Sequence, residues 1–188
     1  MFNELYMWHS TGTAACVFPA GLTIEPGEHV ENPKAKRRFR NLVEVSGQVS
    51  HLTPIPVYPA SEEDLTRFHT RDYVRRVKML SAGSGGDAGD FAPFGAGGFE
   101  IACLSAGGVI AATEAVIKGT VGNAYALVRP PGHHAKRDQG AGFCVFGNVP
   151  VAVMQARAVH HLAGLQLWIG MFTTATVHSK RSSTVLTF

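Results

Sequence analysis

The sequence predicts an α/β fold in which a buried strand leads into a functional loop. Three segments in chain order predict it: an apolar helix from about Phe99 to Lys118, the short apolar run Ala124-Tyr-Ala-Leu-Val128, and a second helix from about Val149 to His161. A run of this length between two helices is typical of a strand in a parallel sheet. Because sites in such folds gather at the carboxyl ends of strands, the loop after Val128 is where chemistry is expected.

Composition limits the classes of protein to be considered. The chain has 188 residues, enough for one domain or for part of a larger one. Its 17 basic and 14 acidic residues give a formal net charge of +3, and the densest basic run is Lys34-Ala-Lys-Arg-Arg-Phe-Arg40. Since the excess is small and no aromatic ladder accompanies that run, we interpret it as the solvated face of a helix, and we predict no nucleic-acid partner.

Cysteine usage and hydropathy indicate a cytoplasmic protein. The three cysteines contain no Cys-x-x-Cys pair, which favours a reducing compartment, and the N-terminus lacks the basic and apolar pattern of a secretory signal. The most apolar stretch, Ile101 to Ile117, contains Glu114 and is shorter than the roughly 20 residues that span a bilayer. We therefore expect a buried helix and no membrane partner; the sequence specifies no oligomeric state.

Local capping signals place three helices in the first half of the chain. Asn32 precedes Pro33 as an N-cap residue, which predicts a helix from Pro33 to about Val49. The segment 55–58 is expected to be extended, and Ser61 with Asp64 resembles a capping box that begins a second helix. Thr70 can cap a third helix, whose apolar face comprises Tyr73, Val74, Val77 and Leu80.

Residues 81–98 are so rich in glycine that we expect a long loop with no regular element. A loop of this length is either functional or a plain surface excursion, and the sequence leaves both open. It lacks the Lys-Ser/Thr ending of a nucleotide P-loop, which argues against phosphate binding.

The segment Arg129-Pro-Pro-Gly-His-His-Ala-Lys136 carries the strongest functional signal. It places His133 and His134 in a loop stiffened by two prolines at the end of the predicted strand. Because the pKa of histidine lies near neutrality, such a pair suits proton transfer in catalysis. The alternative is a loop pair that only bonds its own backbone; the strand end and the following Gly142-Phe-Cys144 favour function.

Other candidate residues have plainer interpretations. The pair His160-His161 lies at the end of a helix and is interpreted as a surface feature. Cys144 could act as a nucleophile with His133 or His134 as its base, but a small buried hydrophobe fits its apolar neighbours better. We expect His69 to be structural.

These motifs together resemble the histone deacetylase family, in particular its bacterial members that are similar to class II enzymes. The resemblance rests on Arg129 to Lys136, on Gly142-Phe-Cys-Val-Phe-Gly-Asn148, on Phe68-His-Thr-Arg-Asp-Tyr73 and on the loop from Gly85 to Asp90. It covers roughly Leu5 to Val159, which in that family is the first half of the catalytic domain.

The resemblance implies a three-layer α/β/α arrangement with a central parallel sheet, the arginase-deacetylase fold, here incomplete. It also implies zinc-dependent hydrolysis of acylated lysine or of polyamine-type small amides. By the same match His133 and His134 position and activate the attacking water, with His134 as general base and acid, and Gly142 and Phe143 line the substrate tunnel. Gly147, where many relatives have Asn, and Pro150 depart from the family pattern.

The last part of the chain lacks the acids that a zinc site in this family requires. Relatives supply zinc ligands from an Asp-x-Asp-x-His-His strand and from a later Asp, whereas all 14 acids here precede Gln139. We therefore expect no metal ligands and no bound zinc in this chain, and we leave open whether it is an enzyme.

A change of reading frame accounts for this difference. When the last base of each codon from Ala163 to Ser179 is joined to the next two bases, the permitted reading includes Asp-Trp-Asp-Val-His-His. Trp168 followed by Ile169 can give only Asp, and Met171 followed by Phe172 can give only Val. We predict that residues 1–161 are the N-terminal part of a deacetylase catalytic domain and that 162–188 are a frameshifted tail lacking clean helical or strand periodicity. The polypeptide is then a truncated, inactive product; the alternative is a non-enzymatic interaction or regulatory protein.

Overall fold

The computed structural model describes residues 2–11 and 31–161, and the backbone of residues 165–169 and 175–179. A 3-10 helix spans Glu4–Trp8 and another spans Gln48–His51. The α-helices are α1 (Pro33–Val45), α2 (Glu62–Thr66), α3 (Arg71–Ala82), α4 (Gly98–Ile117) and α5 (Asn148–His160). The strands are β1 (Gly85–Asp87), β2 (Gly89–Asp90), β3 (Pro93–Gly95), β4 (Gly140–Ala141), β5 (Leu165–Ile169) and β6 (Ala175–Ser179).

The three predicted helix starts are confirmed by their caps. The Asn32 side chain accepts a hydrogen bond from the Lys34 N–H at 2.9 Å, ahead of Pro33 at the first helical position. Ser61 and Asp64 form the reciprocal capping box, and the Thr70 hydroxyl accepts from the Tyr73 N–H at 3.3 Å. Each cap depends on residues close in sequence, which is why the sequence alone locates it.

The end of α1 differs from its prediction. The helix stops at Val45 instead of Val49, because Gly47 adopts a left-handed conformation with φ of +76° and the chain turns into the second 3-10 helix. No residue of α1 is buried. Its contact with the rest of the protein includes Phe39, which stacks on Tyr125 with ring centroids 5.3 Å apart.

Helix α4 is the centre of the hydrophobic core and is buried on nearly all sides. It is long and apolar enough to cross a membrane, but most of it is covered by the protein itself. A Cβ at Gly107 would lie 1.8 Å from the Tyr58 carbonyl oxygen, so glycine is required where residues 58–60 cross the helix. Helix α3 contributes Tyr73 and Val77 to the same core, Phe146 lies just before α5, and α5 itself contributes Val151.

The glycine-rich loop contains short strands, so the prediction of no regular element is wrong. Strands β1 and β3 pair in antiparallel register, with Gly86 opposite Phe94, and β2 pairs in parallel with β4. Glycine permits these close approaches: a Cβ at Gly85 would lie 2.1 Å from the Phe94 carbonyl oxygen. The loop is therefore attached to the segment that follows the histidine pair.

The predicted strand at 124–128 is not among the strands of the described residues. Ala124, Ala126 and Leu127 are buried whereas Tyr125 is exposed, so burial alternates only from Ala124 to Ala126. No ladder between the described strands includes this segment. Among the described residues β2 and β4 form the parallel pair, so the expected central parallel sheet is incomplete.

Within residues 162–188 the described backbone forms two strands, although the sequence there lacks clean strand periodicity. Strands β5 and β6 pair in antiparallel register, with Leu167 opposite Val177. The composition of these two segments, with Ile, Val, Thr and Trp, favours extended backbone even without clean alternation.

Candidate active site

The segment that carries the histidine pair is anchored by Arg129, which is only 1% exposed. Its Nε donates to both carboxylate oxygens of Glu31 at 2.8 and 3.0 Å. Its terminal nitrogens donate to the backbone carbonyls of Tyr6, His9 and Glu31. Burial lowers the pKa of Arg129, and the Glu31 carboxylate opposes that shift. The guanidinium thus ties the start of the segment to the N-terminal part of the chain.

A second anchor fixes the backbone just before the pair. The Pro130 carbonyl oxygen accepts from the Ser105 hydroxyl of α4 at 2.7 Å and from the Asn148 amide of α5 at 3.2 Å. A Cβ at Gly132 would lie 2.4 Å from the Asn148 backbone nitrogen, so only glycine fits there. Residues 129–132 are thereby held between the two central helices.

His133 and His134 lie side by side at the surface, with ring centroids 4.1 Å apart and planes inclined at 55°. Although His133 is exposed overall, partial desolvation lowers its pKa, and the neighbouring His134 and Lys36 act in the same direction. The imidazole of His133 is therefore neutral at neutral pH and can accept a hydrogen bond. The predicted site residues are therefore adjacent, fixed in backbone and open to solvent.

Of Gly142 and Phe143, the two residues predicted to line the substrate tunnel, Gly142 packs against the histidine pair. A Cβ at Gly142 would lie 2.7 Å from the His134 Cδ2 atom, so the backbone of Gly142 packs against that ring. Both residues have positive φ, +49° and +68°. Their N–H groups donate to the Asp90 and Phe91 carbonyls at 2.8 and 2.6 Å, which makes the glycine-rich loop part of the site.

Phe91 and Arg129 are the residues whose importance the sequence did not reveal. Phe91 is 75% exposed, and its carbonyl accepts from the Phe143 N–H. Its backbone φ of +54° is rare for a residue with a side chain. Arg129 stood within the recognised motif, but its partners lie far away in sequence. The sequence signal available for it was an arginine placed directly after the apolar run 124–128.

Cys144 has the properties of a buried structural residue. It is fully buried, its Sγ lies 3.4 Å from the His134 backbone nitrogen, and burial raises its pKa. A thiol with a raised pKa is a poor nucleophile at neutral pH. His160 and His161 lie at the carboxyl end of α5, whereas residues 129–132 contact Asn148 at its start.

Comparison with known proteins shows the family. The histone deacetylase domain model matches residues 29–165. This chain belongs to the histone deacetylase family. Histone deacetylase relatives include the histone deacetylase-like amidohydrolase of Pseudomonas aeruginosa, 47% identical over 162 residues that cover 85% of this chain and 43% of that protein. The human polyamine deacetylase HDAC10 is 35% identical over 147 residues, covering 73% of this chain and 22% of its own length.

A solved histone deacetylase structure shares the fold. The HDA15 HD domain superimposes with a TM-score of 0.73 at 27% identity, covering 87% of this chain and 43% of that one. The histone deacetylase fold is thus the expected arginase-deacetylase α/β fold, present here in incomplete form. The chain spans less than half the length of these two relatives and of this structure.

Proposed function

We propose that this chain carries the proton-transfer part of a zinc-dependent deacetylase site acting on acylated amines. The observation that carries the proposal is the histidine pair, two rings 4.1 Å apart on a segment held by Arg129 and packed against Gly142. Relatives named as histone deacetylases and polyamine deacetylases support an acylated lysine or a polyamine-type amide as the substrate class.

The pair can transfer a proton in both halves of amide hydrolysis. In this proposal His134 accepts a proton from the attacking water and returns it to the leaving amine nitrogen, while His133 orients the water. The lowered pKa of His133 keeps that ring neutral and able to accept a hydrogen bond at neutral pH. Phe143, which follows Gly142 in the chain, would contact the acyl chain.

The described residues do not fit a zinc site. Within residues 2–11 and 31–161, no three His, Cys, Asp or Glu side chains lie close enough together to hold a metal ion. The sequence from Gln139 onward contains no carboxylate, the ligand type that hydrolytic zinc sites combine with histidine. We therefore propose that the chain as given binds no zinc and does not hydrolyse amides, and that residues 162–188 come from a shifted reading frame.

Metal analysis of two purified proteins tests this proposal. We expect stoichiometric zinc and activity on an acetyl-lysine or acetylputrescine substrate in a protein whose downstream frame is restored, and neither in the chain as given. In the restored protein, His134→Ala should lower kcat by roughly 100- to 10,000-fold, whereas the exposed His161→Ala should leave it unchanged. Stoichiometric zinc in the chain as given, or coding DNA that no single-base change restores, would contradict the proposal.

A non-enzymatic interaction or regulatory protein is the second candidate, because α1 is a basic helix with an apolar face and no buried residue. A monodisperse, protease-resistant chain without zinc would favour this function. Aggregation would favour an incomplete catalytic domain.

A further inference from the structure

His69 is a buried histidine that the proposed proton transfer does not use. It lies between α2 and α3 and is 2% exposed. Its ring packs against Phe68, Tyr73 and Phe146, with centroids 4.8 to 5.3 Å away. The ring therefore joins the α2–α3 junction to the start of α5.

Two backbone groups determine the protonation state of this ring. Nδ1 lies 3.1 Å from the Arg137 carbonyl oxygen, which can only accept, so Nδ1 carries the hydrogen. Nε2 accepts from the Gly147 N–H at 2.9 Å, so Nε2 must keep its lone pair. An imidazolium would place a second N–H against the Gly147 N–H, and this contact would be lost.

The two partners of His69 are the ends of one segment, residues 137–147, which we name the clamp segment. Other bonds from the same junction reinforce it: the Thr70 N–H donates to the Arg137 carbonyl at 3.0 Å, and the Tyr73 hydroxyl donates to the Val145 carbonyl. Gly142, which packs against His134, lies midway along the clamp segment. The contacts of His69 with the two ends of the clamp segment therefore determine where Gly142 packs against His134.

The ionisable groups around the ring offer no compensation for a positive charge. Tyr73 of α3 stays neutral because burial raises its pKa, and the Arg76 guanidinium lies 5.3 Å from the Tyr73 ring centroid. Cys144 of the clamp segment is a buried thiol with a raised pKa. Two carboxylates act on this cluster, Asp87 of β1 on Tyr73 and Glu31 on Cys144, each more weakly than burial does. Lys136 and Arg137 contribute backbone groups.

We propose that His69 is a positioning residue that holds the clamp segment closed only while its imidazole is neutral, so that mild acid opens the segment beside the histidine pair. The inference is independent of the proposed deacetylase activity, because it concerns the closure of a loop and not a reaction. Burial is consistent with it, lowering the pKa of His69 from 6.5 to about 4. Since the open form then binds the proton more tightly, closure is favoured above the open-state pKa and weakens as pH falls from there toward the closed-state value.

Accessibility of the Cys144 thiol reports opening of the clamp segment, because this side chain is fully buried within it. Cys16→Ser and Cys103→Ala leave it as the single thiol. The rate of its alkylation by a maleimide in denaturant, divided by the rate for the native chain at the same pH, gives a protection factor at each pH. We expect this factor to fall on the order of tenfold from about pH 7 to pH 5, and to change less than twofold in His69→Gln, which keeps an acceptor for the Gly147 N–H.

Matched substitutions separate this mechanism from the titration of other histidines. His51→Gln, at an exposed position, should keep the tenfold fall, and so should the double change His133→Gln with His134→Gln. If the fall persists in His69→Gln and disappears in the double variant, repulsion within the histidine pair is responsible and the proposal is wrong.

Nitrogen NMR of the unaltered chain provides a test that does not depend on a variant folding. His69 should show the Nδ1–H tautomer at neutral pH and a titration midpoint well below 6.5. The Nε2–H tautomer, or a midpoint near 6.5, would overturn the proposal.

Discussion

Gly142 lies where the loop backbone meets the edge of the His134 ring, and two separate costs oppose a side chain there. A left-handed conformation costs a residue with a Cβ roughly 1 to 2 kcal/mol, and the Cβ would lie 2.7 Å from the His134 Cδ2 atom. We predict that Gly142→Ala lowers the free energy of unfolding by more than that conformational cost and shifts the NMR signals of His134.

Gly119→Ala is the matched control for this prediction. Gly119 has φ of +71°, but nothing lies within 4 Å of an added Cβ. It should incur the conformational cost alone and leave His134 unaffected. Equal losses of stability for the two variants in urea unfolding would show that Gly142 does not press against the histidine.

Arg129 is the residue whose loss should be most damaging to the loop. Removing one partner of a buried ion pair typically costs about 3 to 5 kcal/mol because the other charge stays unpaired. We predict a loss of this size for Arg129→Met, measured by urea unfolding followed by circular dichroism. Arg37→Met breaks an exposed pair with Glu4 and should cost about 1 kcal/mol or less. Similar small losses for both variants would contradict the anchoring role.

Among single residues, the sequence identifies those whose functional signal lies in their immediate neighbours. The histidine pair is recognisable from its prolines and glycine, and Gly142 packs against His134. The roles assigned to His133, His134, Gly142 and Phe143 stay predictions. The Arg129–Glu31 contact is not predictable, because its members are 98 residues apart and nothing in the intervening pattern joins them. The local sequence also predicts the burial of Cys144, which lies between the apolar residues Phe143 and Val145.

Helices α4 and α5 are joined near their carboxyl ends by Glu114. This carboxylate accepts from Gln155 at 2.9 Å and from Lys118 at 2.8 Å, and His160 lies 3.9 Å away. Burial acts to raise its pKa, but the hydrogen bonds and positive charge of Lys118, with Gln155, outweigh that effect, so the pKa is lowered.

Glu114→Gln should therefore reduce stability by about 1 kcal/mol at neutral pH. A carboxylate with a lowered folded-state pKa stabilises the protein above its unfolded-state value and loses that contribution as pH falls through the folded-state value. The difference between the two proteins in urea unfolding curves should start to shrink below about pH 4.3, the ordinary value for Glu, and vanish below the lowered folded-state value. A difference that is constant with pH would mean that the charge of Glu114 is not what joins the helices. Glu44→Gln, an exposed i,i+4 partner of Arg40, is the control.

Elements differ in how far sequence determines them. Caps at Asn32, Ser61 and Thr70 are confirmed because each is completed within three residues. Residues 124–128 have the apolar composition of a strand but belong to none of the described strands, because pairing also depends on a second segment. The glycine-rich loop was underestimated for the same reason, since β4, 50 residues later, provides the partner of β2.

At the scale of the whole molecule, the described residues leave apolar side chains exposed. Helix α1 contains no buried residue, and Trp8 is 73% exposed. Exposed apolar faces promote association. We predict low solubility, binding of an apolar dye at neutral pH and a broad thermal transition. A sharp, concentration-independent transition measured by calorimetry would contradict this prediction.

The ion pair between Glu31 and Arg129 also has a consequence for the order of folding. The two residues leave the ribosome 98 residues apart, so Glu31 waits in solvent while α1 to α4 are synthesised. Closing a chain loop of this length carries an entropic cost that helices formed from neighbouring residues avoid. The backbone that presents the two imidazoles should thus be among the last parts to acquire its native position, and its formation would signal that the preceding segments are already in place.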